Sequence, residues 1–228
     1  SASDFGNFNW AYMWFNVFFF ALLFGGIILD KIGVRLTGIA SCLFMVAGAC
    51  IKYYAVEFIE PGGEAIFLGL NKQVLTACVG YAIFAVGTEN CGITVTKVIA
   101  RWFRGYETAL AMGIQVAVAR LGTALALAVG PILAKNFQVS TPLLLALVLL
   151  VVGLLAYLVF CVMDSRLDKQ EGEAVSSEGD DETFKLGDLT IILKSKGFWL
   201  IALLCLCFYS AVFPFLKYAT SLMINKYN

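Results

Sequence analysis

Six stretches of this chain are long and apolar enough to cross a lipid bilayer: residues 10–29, 36–56, 73–99, 107–134, 141–163 and 197–223. A bilayer's hydrocarbon core is about 30 Å thick, and a helix crosses it with about 20 apolar residues. A soluble domain runs about 45–50% apolar and about 25% charged. Here 61% of 228 residues are hydrophobic and 14% are charged. A water-soluble fold of this size cannot bury so much apolar surface, so the solvent is lipid. In lipid every backbone polar group needs a partner inside its own segment or barrel. The expected fold is an all-α membrane protein.

The loops set the topology. Lys31 and Arg35 lie in the first loop, Lys97, Arg101 and Arg104 around the third, and Arg166, Lys169, Lys185, Lys194 and Lys196 in the fifth. The second and fourth hold only Lys72 and Lys135, with Lys52 near one helix end. Basic residues favour the cytoplasmic side, so the odd-numbered loops are cytoplasmic and the chain opens and closes outside. Residues 1–9 (SASDFGNFN) read as a loop, and nothing there resembles a signal peptide. Segment 164–196 is long and acidic, with the run EGEAVSSEGDDE, a composition that cannot bury a core. It reads as a cytoplasmic linker whose last part, DLTIILKSKGFW, suits a short surface helix. The asymmetry disappears if one further helix precedes residue 1. Residues 1–163 are then a six-helix bundle lacking its first helix, and 197–228 open a second bundle.

Two local sequences carry a family resemblance. GGIILDKIGVR resembles the signature loop between helices two and three of the major facilitator superfamily, G-x-x-x-D-[RK]-x-G-x-[RK], at Gly26, Asp30, Lys31, Gly33 and Arg35. Gly26 lets helices approach, Gly33 permits a tight turn, and Asp30 at a helix end meets a helix N-terminus or a basic residue. ARWFRGYETALAMGI at 100–114 is similar to the family's basic-aromatic connection between helices four and five. The resemblance implies a major facilitator fold, with this chain covering helices two to seven of twelve. It also implies a cytoplasmic gating network of Asp30, Lys31, Arg35, Arg101, Arg104 and Glu107.

A narrower resemblance is to the dipeptide-transporting branch, the major facilitator superfamily domain-containing protein 1 family. Gly87, Glu89, Trp102, Phe103, Arg104, Gly105, Gly113, Gln115, Ala119, Arg120 and Gly122 fit its pattern, as does FYSAVFPF at 208–215. LKYATSLM just downstream departs from the pattern.

An ionisable residue at the membrane centre costs about 2.5–3.5 kcal/mol or more and marks function by default. Glu89 lies 15 residues before Arg104 and Arg120 lies 16 after it. At about 1.5 Å per residue both sit roughly 20 Å from the cytoplasmic turn, near the midplane. One carboxylate and one guanidinium at equal depth suit a zwitterion, with Glu89 on the ammonium and Arg120 forking the carboxylate. The family resemblance implies the same roles. The competing reading is that the two neutralise each other and brace the bundle. Asn90, Tyr12, Asn16 and Gln115 are further candidates for substrate contact, with Tyr209 and Phe213 from the last helix. A polar residue of this kind is more often an interhelical hydrogen bond than a ligand contact, and core packing suits Tyr209 and Phe213 at least as well. The 107–134 helix is dense in small residues, which are expected to pack backbone to backbone.

With no histidine, the commonest metal ligand and proton shuttle is missing. The seven cysteines form no C-x-x-C pair and read as buried apolar thiols. No metal, cofactor or nucleic-acid partner is expected, and no hydrolase or transferase constellation appears. The expected partners are a small-molecule substrate, the bilayer and the remainder of the same transporter. Three functions stand open: transport of dipeptides or similar zwitterions by alternating access, transport of organic anions or sugars, and a non-transporting receptor. Short outer loops without N-x-[ST] acceptors suit a bacterial inner membrane better than a lysosomal one.

Overall fold

The computed structural model describes residues 2–13, 21–60, 70–103, 107–172 and 194–227. Among them are the helices α1 (Ala2–Ala11), α2 (Ala21–Ile32), α3 (Val34–Glu57), α4 (Lys72–Trp102), α5 (Thr108–Asn136), α6 (Thr141–Gly172) and α7 (Lys196–Tyr227). Five are long and apolar enough to cross a membrane: α3, α4, α5, α6 over Thr141–Arg166 and α7 over Lys196–Phe215. They coincide with five of the six expected spans, and the molecule is an all-α membrane protein.

The first span differs from expectation. A turn at Tyr12 and Met13 follows α1, and residues 14–20 lie outside the described residues. The loop expected at 1–9 is helical instead. Its order comes from tertiary contact rather than propensity: Phe8 stacks on Tyr81 of α4 at 4.6 Å, and Ala11 is fully buried beside Leu70 and Cys78. Propensity is a weak prior that such packing overrides.

The chain divides into two compact units, Ser1–Asp180 and Asp181–Asn228. The second holds α7. In the first, α3 and α4 form the main helix pair, α6 packs on α3, and α1 and α2 pack on α4. The α3–α4 seam is built on glycine. A Cβ at Gly48 would lie 2.5 Å from the Phe84 backbone nitrogen, and one at Gly87 would lie 2.6 Å from the Ser41 carbonyl. No larger residue permits that approach without moving the backbone.

Gly33 sits between α2 and α3 at φ +90°, a conformation L side chains rarely adopt, so its turn-forming role holds. Gly26 is a correction. A Cβ there would meet nothing within 4 Å, whereas one at Gly25 would run into the Asn90 side chain. The close approach of α2 to α4 belongs to Gly25.

Three other expectations change. α6 continues to Gly172, so the first part of the expected linker is helix; its remainder, 173–193, lies outside the described residues. No residue of α5 is buried, and Gly113, Gly122 and Gly130 face open space. Of the seven thiols only Cys42 and Cys78 are buried; Cys50, Cys205 and Cys207 are exposed, as lipid-facing positions permit.

Candidate functional site

Glu89 lies in the middle of α4. Its Oε1 accepts a hydrogen bond of 2.7 Å from the Tyr12 hydroxyl. Tyr12 reaches it because the chain turns there at the end of α1. Its ring lies tilted 5.2 Å from Tyr81, which carries Phe8 on one side and is followed by Phe84 at 6.4 Å. The carboxylate therefore has an aromatic wall toward the Lys72 end of α4. Toward the other end it opens on a crevice of about 630 Å³ lined by Asp30, Glu89, Thr96, Lys97 and Gln115. Gln115 of α5 thus shares a crevice with Glu89.

Arg120 stands elsewhere. It is exposed on α5 and forms no ion pair with Glu89. Equal depth along the bundle is not contact: Glu89 bonds Tyr12 instead. Asn90 faces α2, its Oδ1 buried against Gly25 with no hydrogen-bond partner among the described residues. The hydroxyls of Thr94, Thr96 and Thr123 bond back to the carbonyls of Asn90, Gly92 and Ala119 on their own helices. Tyr209 and Phe213 stack at 5.2 Å on one face of α7, in the second unit. Asn16 lies outside the described residues.

At the far end of α4 a charge cluster forms around Asp164. Its carboxylate is buried, with 1% of the side chain exposed. Arg35 donates from Nε to Oδ2 at 2.6 Å and from its terminal nitrogen to the Asp164 carbonyl at 2.9 Å. Trp102 Nε1 donates to Oδ1 at 3.1 Å, and Arg101 approaches the same oxygen at 3.7 Å. A buried carboxylate is tolerated only when paired and hydrogen-bonded this fully. The cluster ties the start of α3 and the end of α4 to α6. Tyr157, one turn earlier on α6 than Cys161, adds a bond from its hydroxyl to the Val34 carbonyl at 2.8 Å and packs against Gly38.

Asp30 pairs separately with Lys97 at 2.6 Å, both partners being substantially exposed. Of the expected gating residues, Asp30, Arg35 and Arg101 are in ion pairs. Lys31 and Glu107 are exposed and in none among the described residues, and Arg104 lies outside them. Glu107 instead borders an apolar crevice of about 830 Å³ with Ile99, Trp102 and Phe103. No group of three metal-ligating side chains occurs among the described residues.

Sequence reasoning missed Asp164, Trp102 and Tyr157. Asp164 was assigned to a solvated linker because an acidic run follows it. The available signal was its position: an acid within helical reach of the fifth apolar run, on the side where the basic loops place Arg35 and Arg101.

The profile described as Major Facilitator Superfamily matches residues 1–227. Among similar proteins is the "Lysosomal dipeptide transporter MFSD1" of Danio rerio, 28% identical over 95% of this chain and 45% of its own length. The proteins of that name from Homo sapiens and Pongo abelii are each 26% identical, with the same coverage. The chain therefore spans about half the length of these relatives. No solved structure matches it.

Proposed function

The chain belongs to the Major Facilitator Superfamily, and on that premise we propose that it supplies helices two to seven of a twelve-helix transporter moving dipeptides or similar small zwitterions by alternating access. The observation carrying this reading is Glu89, a carboxylate in the middle of a membrane-spanning helix, held by Tyr12 and open to a crevice. Relatives named as dipeptide transporters support it.

The chemistry follows from the residues. A substrate ammonium replaces the Tyr12 hydroxyl at Glu89, exchanging a neutral donor for a charged one and adding charge–charge attraction to the hydrogen bond. A dipeptide extends at most about 7 Å, so a cation from a neighbouring helix must take its carboxylate, and Arg120 is the candidate on α5. Gln115, bordering the crevice, orients the peptide amide. The cytoplasmic end closes the site. There the Asp164 cluster and the Asp30–Lys97 pair hold the helix ends together as a gate: the first is buried and strong, the second exposed and readily broken.

The test is uptake by the full-length protein in proteoliposomes, comparing dipeptides, free amino acids and organic anions. Glu89→Gln and Arg120→Ala each abolish dipeptide uptake while leaving expression intact. Normal dipeptide uptake in either variant sinks the zwitterion site. Uptake of organic anions alone favours the second reading, in which Arg120 binds the anion and Glu89 is a coupling carboxylate. Location is part of the same proposal: loops without glycosylation acceptors favour a bacterial inner membrane, the relatives' names a lysosomal one.

A further inference from the structure

Lys52 is a cation within the membrane-spanning helix α3, and no carboxylate pairs with it among the described residues. Its Nζ lies 3.8 Å from the centroid of the Phe84 ring and 5.1 Å from that of Tyr81. It forms no ion pair among the described residues. Arg35 and Lys97, basic residues near the other end of α3 and α4, each hold an acid. An ammonium in the membrane is costly and points to a partner.

The orientation of the side chain separates two explanations. A lysine that only snorkels carries its head toward the nearer membrane surface. The nearer end for Lys52 is the Glu57 end of α3, beside the Lys72 end of α4. Of the two rings beneath it, Phe84 lies deeper along α4 than Tyr81, and Nζ is closer to Phe84. Lys52 thus leans inward, as a helical side chain tilted toward its own N-terminus does.

Its neighbours lead to Glu89. Tyr81, under Lys52, touches the Tyr12 ring, and the Tyr12 hydroxyl bonds Glu89. The two rings under the Lys52 ammonium, Tyr81 and Phe84, lie eight and five residues before Glu89 on α4. At about 1.5 Å per residue that is roughly 8–12 Å along the axis. A negative and a positive group therefore flank one aromatic wall, at a separation that a dipeptide of about 7 Å spans with a hydrogen bond of about 3 Å at each end.

We propose that Lys52 is a specificity-determining residue that binds a substrate carboxylate over the Tyr81–Phe84 wall, so that the transporter favours peptides carrying a carboxylate toward the Lys72 end of α4. This rests on the peptide reading above. The rings hold the ammonium in place by cation–π attraction without neutralising it, leaving its charge for an anion. The carboxylate is an acidic side chain, with Arg120 on the C-terminus, or it is the C-terminus itself, with Lys52 in place of Arg120 as its ligand.

The test uses the purified full-length transporter and ligand-dependent thermal shifts with three peptides: Gly-Glu, Gly-Gln and the C-terminal amide of Gly-Gln. Wild type is compared with Lys52→Met, Lys52→Gln and Lys52→Arg. Losing a charge-assisted bond weakens binding by about 10- to 100-fold. The expected result is that loss for Gly-Glu in the Met and Gln variants, no change for the amide, and recovery of most affinity in Lys52→Arg. Loss for Gly-Gln as well identifies the C-terminus as the carboxylate; loss for Gly-Glu alone identifies the side chain. Equal weakening of all three peptides, or no weakening of any, overturns the proposal.

If no peptide shifts wild type, the peptide reading fails by itself. Acetate and succinate then test Lys52 in the same assay. A carboxylate-dependent shift lost in Lys52→Met upholds the anion site; an equal shift in both, or none in wild type, overturns it.

Discussion

α4 and α5 are neighbouring helices of about equal length, both rich in small residues, and they use them in opposite ways. On α4, Gly80 and Gly87 are seven residues apart and meet Gly48 and Ser41 of α3, also seven apart. That repeat keeps a single seam facing the partner along two antiparallel turns. On α5, Ala109, Ala111, Gly113, Ala117, Ala119, Gly122 and Ala124 are spread around the circumference, and none of the helix is buried. Density of small residues therefore does not predict close packing; matched spacing on two helices does. The same contrast runs through the charges. Asp164 sits in the packed region with Arg35 and Trp102 as donors and Arg101 beside them, whereas Arg120 sits on the bare helix with no ion pair among the described residues.

Removing the centre of the packed region gives the largest effect. Asp164→Ala leaves Arg35 and Arg101 facing an uncompensated pocket, and breaking a buried pair costs about 3–5 kcal/mol. Thermal unfolding of the full-length protein in detergent measures it. A drop no larger than that from the exposed-pair variant Asp30→Ala, where about 0–1 kcal/mol is at stake, would show that the cluster does not hold the helices together.

Gly48→Ala comes next. The added methyl meets Phe84 and Gly80 backbone, which cannot rotate away as a side chain can. Overpacking of this kind costs about 1–3 kcal/mol. Unfolding temperature again reads it, and wild-type stability would mean that the α3–α4 seam tolerates separation. Tyr12→Phe follows, with a smaller effect on stability and a distinct one on transport. It removes a hydrogen bond to a charged group, worth about 1.5–3 kcal/mol net, and the crevice that Glu89 borders lets water recover part of it. If Tyr12 occupies the ammonium's place, dipeptide KM falls while unfolding temperature drops slightly; a raised KM would make Tyr12 a substrate ligand in its own right.

How legible was this from the sequence? The spans were, because lipid demands long apolar runs and five of those runs became helices of matching extent. Glu89 was legible because depth can be counted along a helix. Its partner was not, because depth carries no azimuth: Glu89 and Arg120 share a level, yet Tyr12 holds the carboxylate. Asp164 was hidden for a different reason. Its burial depends on Arg35, 129 residues away in the chain, and the local acidic composition pointed to solvent. The expected linker boundary moved for the same cause, since an arginine pairing at the helix end carries α6 past its apolar run. Gly26 was chosen over Gly25 from the motif, and only the position of Asn90 reverses the choice.

The smallest effect is the sharpest test of the comparison between α4 and α5. At Gly122 a Cβ meets no atom within 4 Å, so Gly122→Ala has no steric cost in this arrangement. Alanine is favoured over glycine inside a helix by about 0.8–1.0 kcal/mol in water, and lipid already suppresses the unfolded backbone that supplies much of that difference. The net expectation is a change within about 0.5 kcal/mol, against the clear loss at Gly48. Both variants are single methyl additions at helical glycines, so the helix propensity term is common to both. Their difference isolates packing. A loss at Gly122 matching that at Gly48 would place a partner backbone against α5 in the full-length transporter. A null result would leave α5 facing lipid or side chains able to yield.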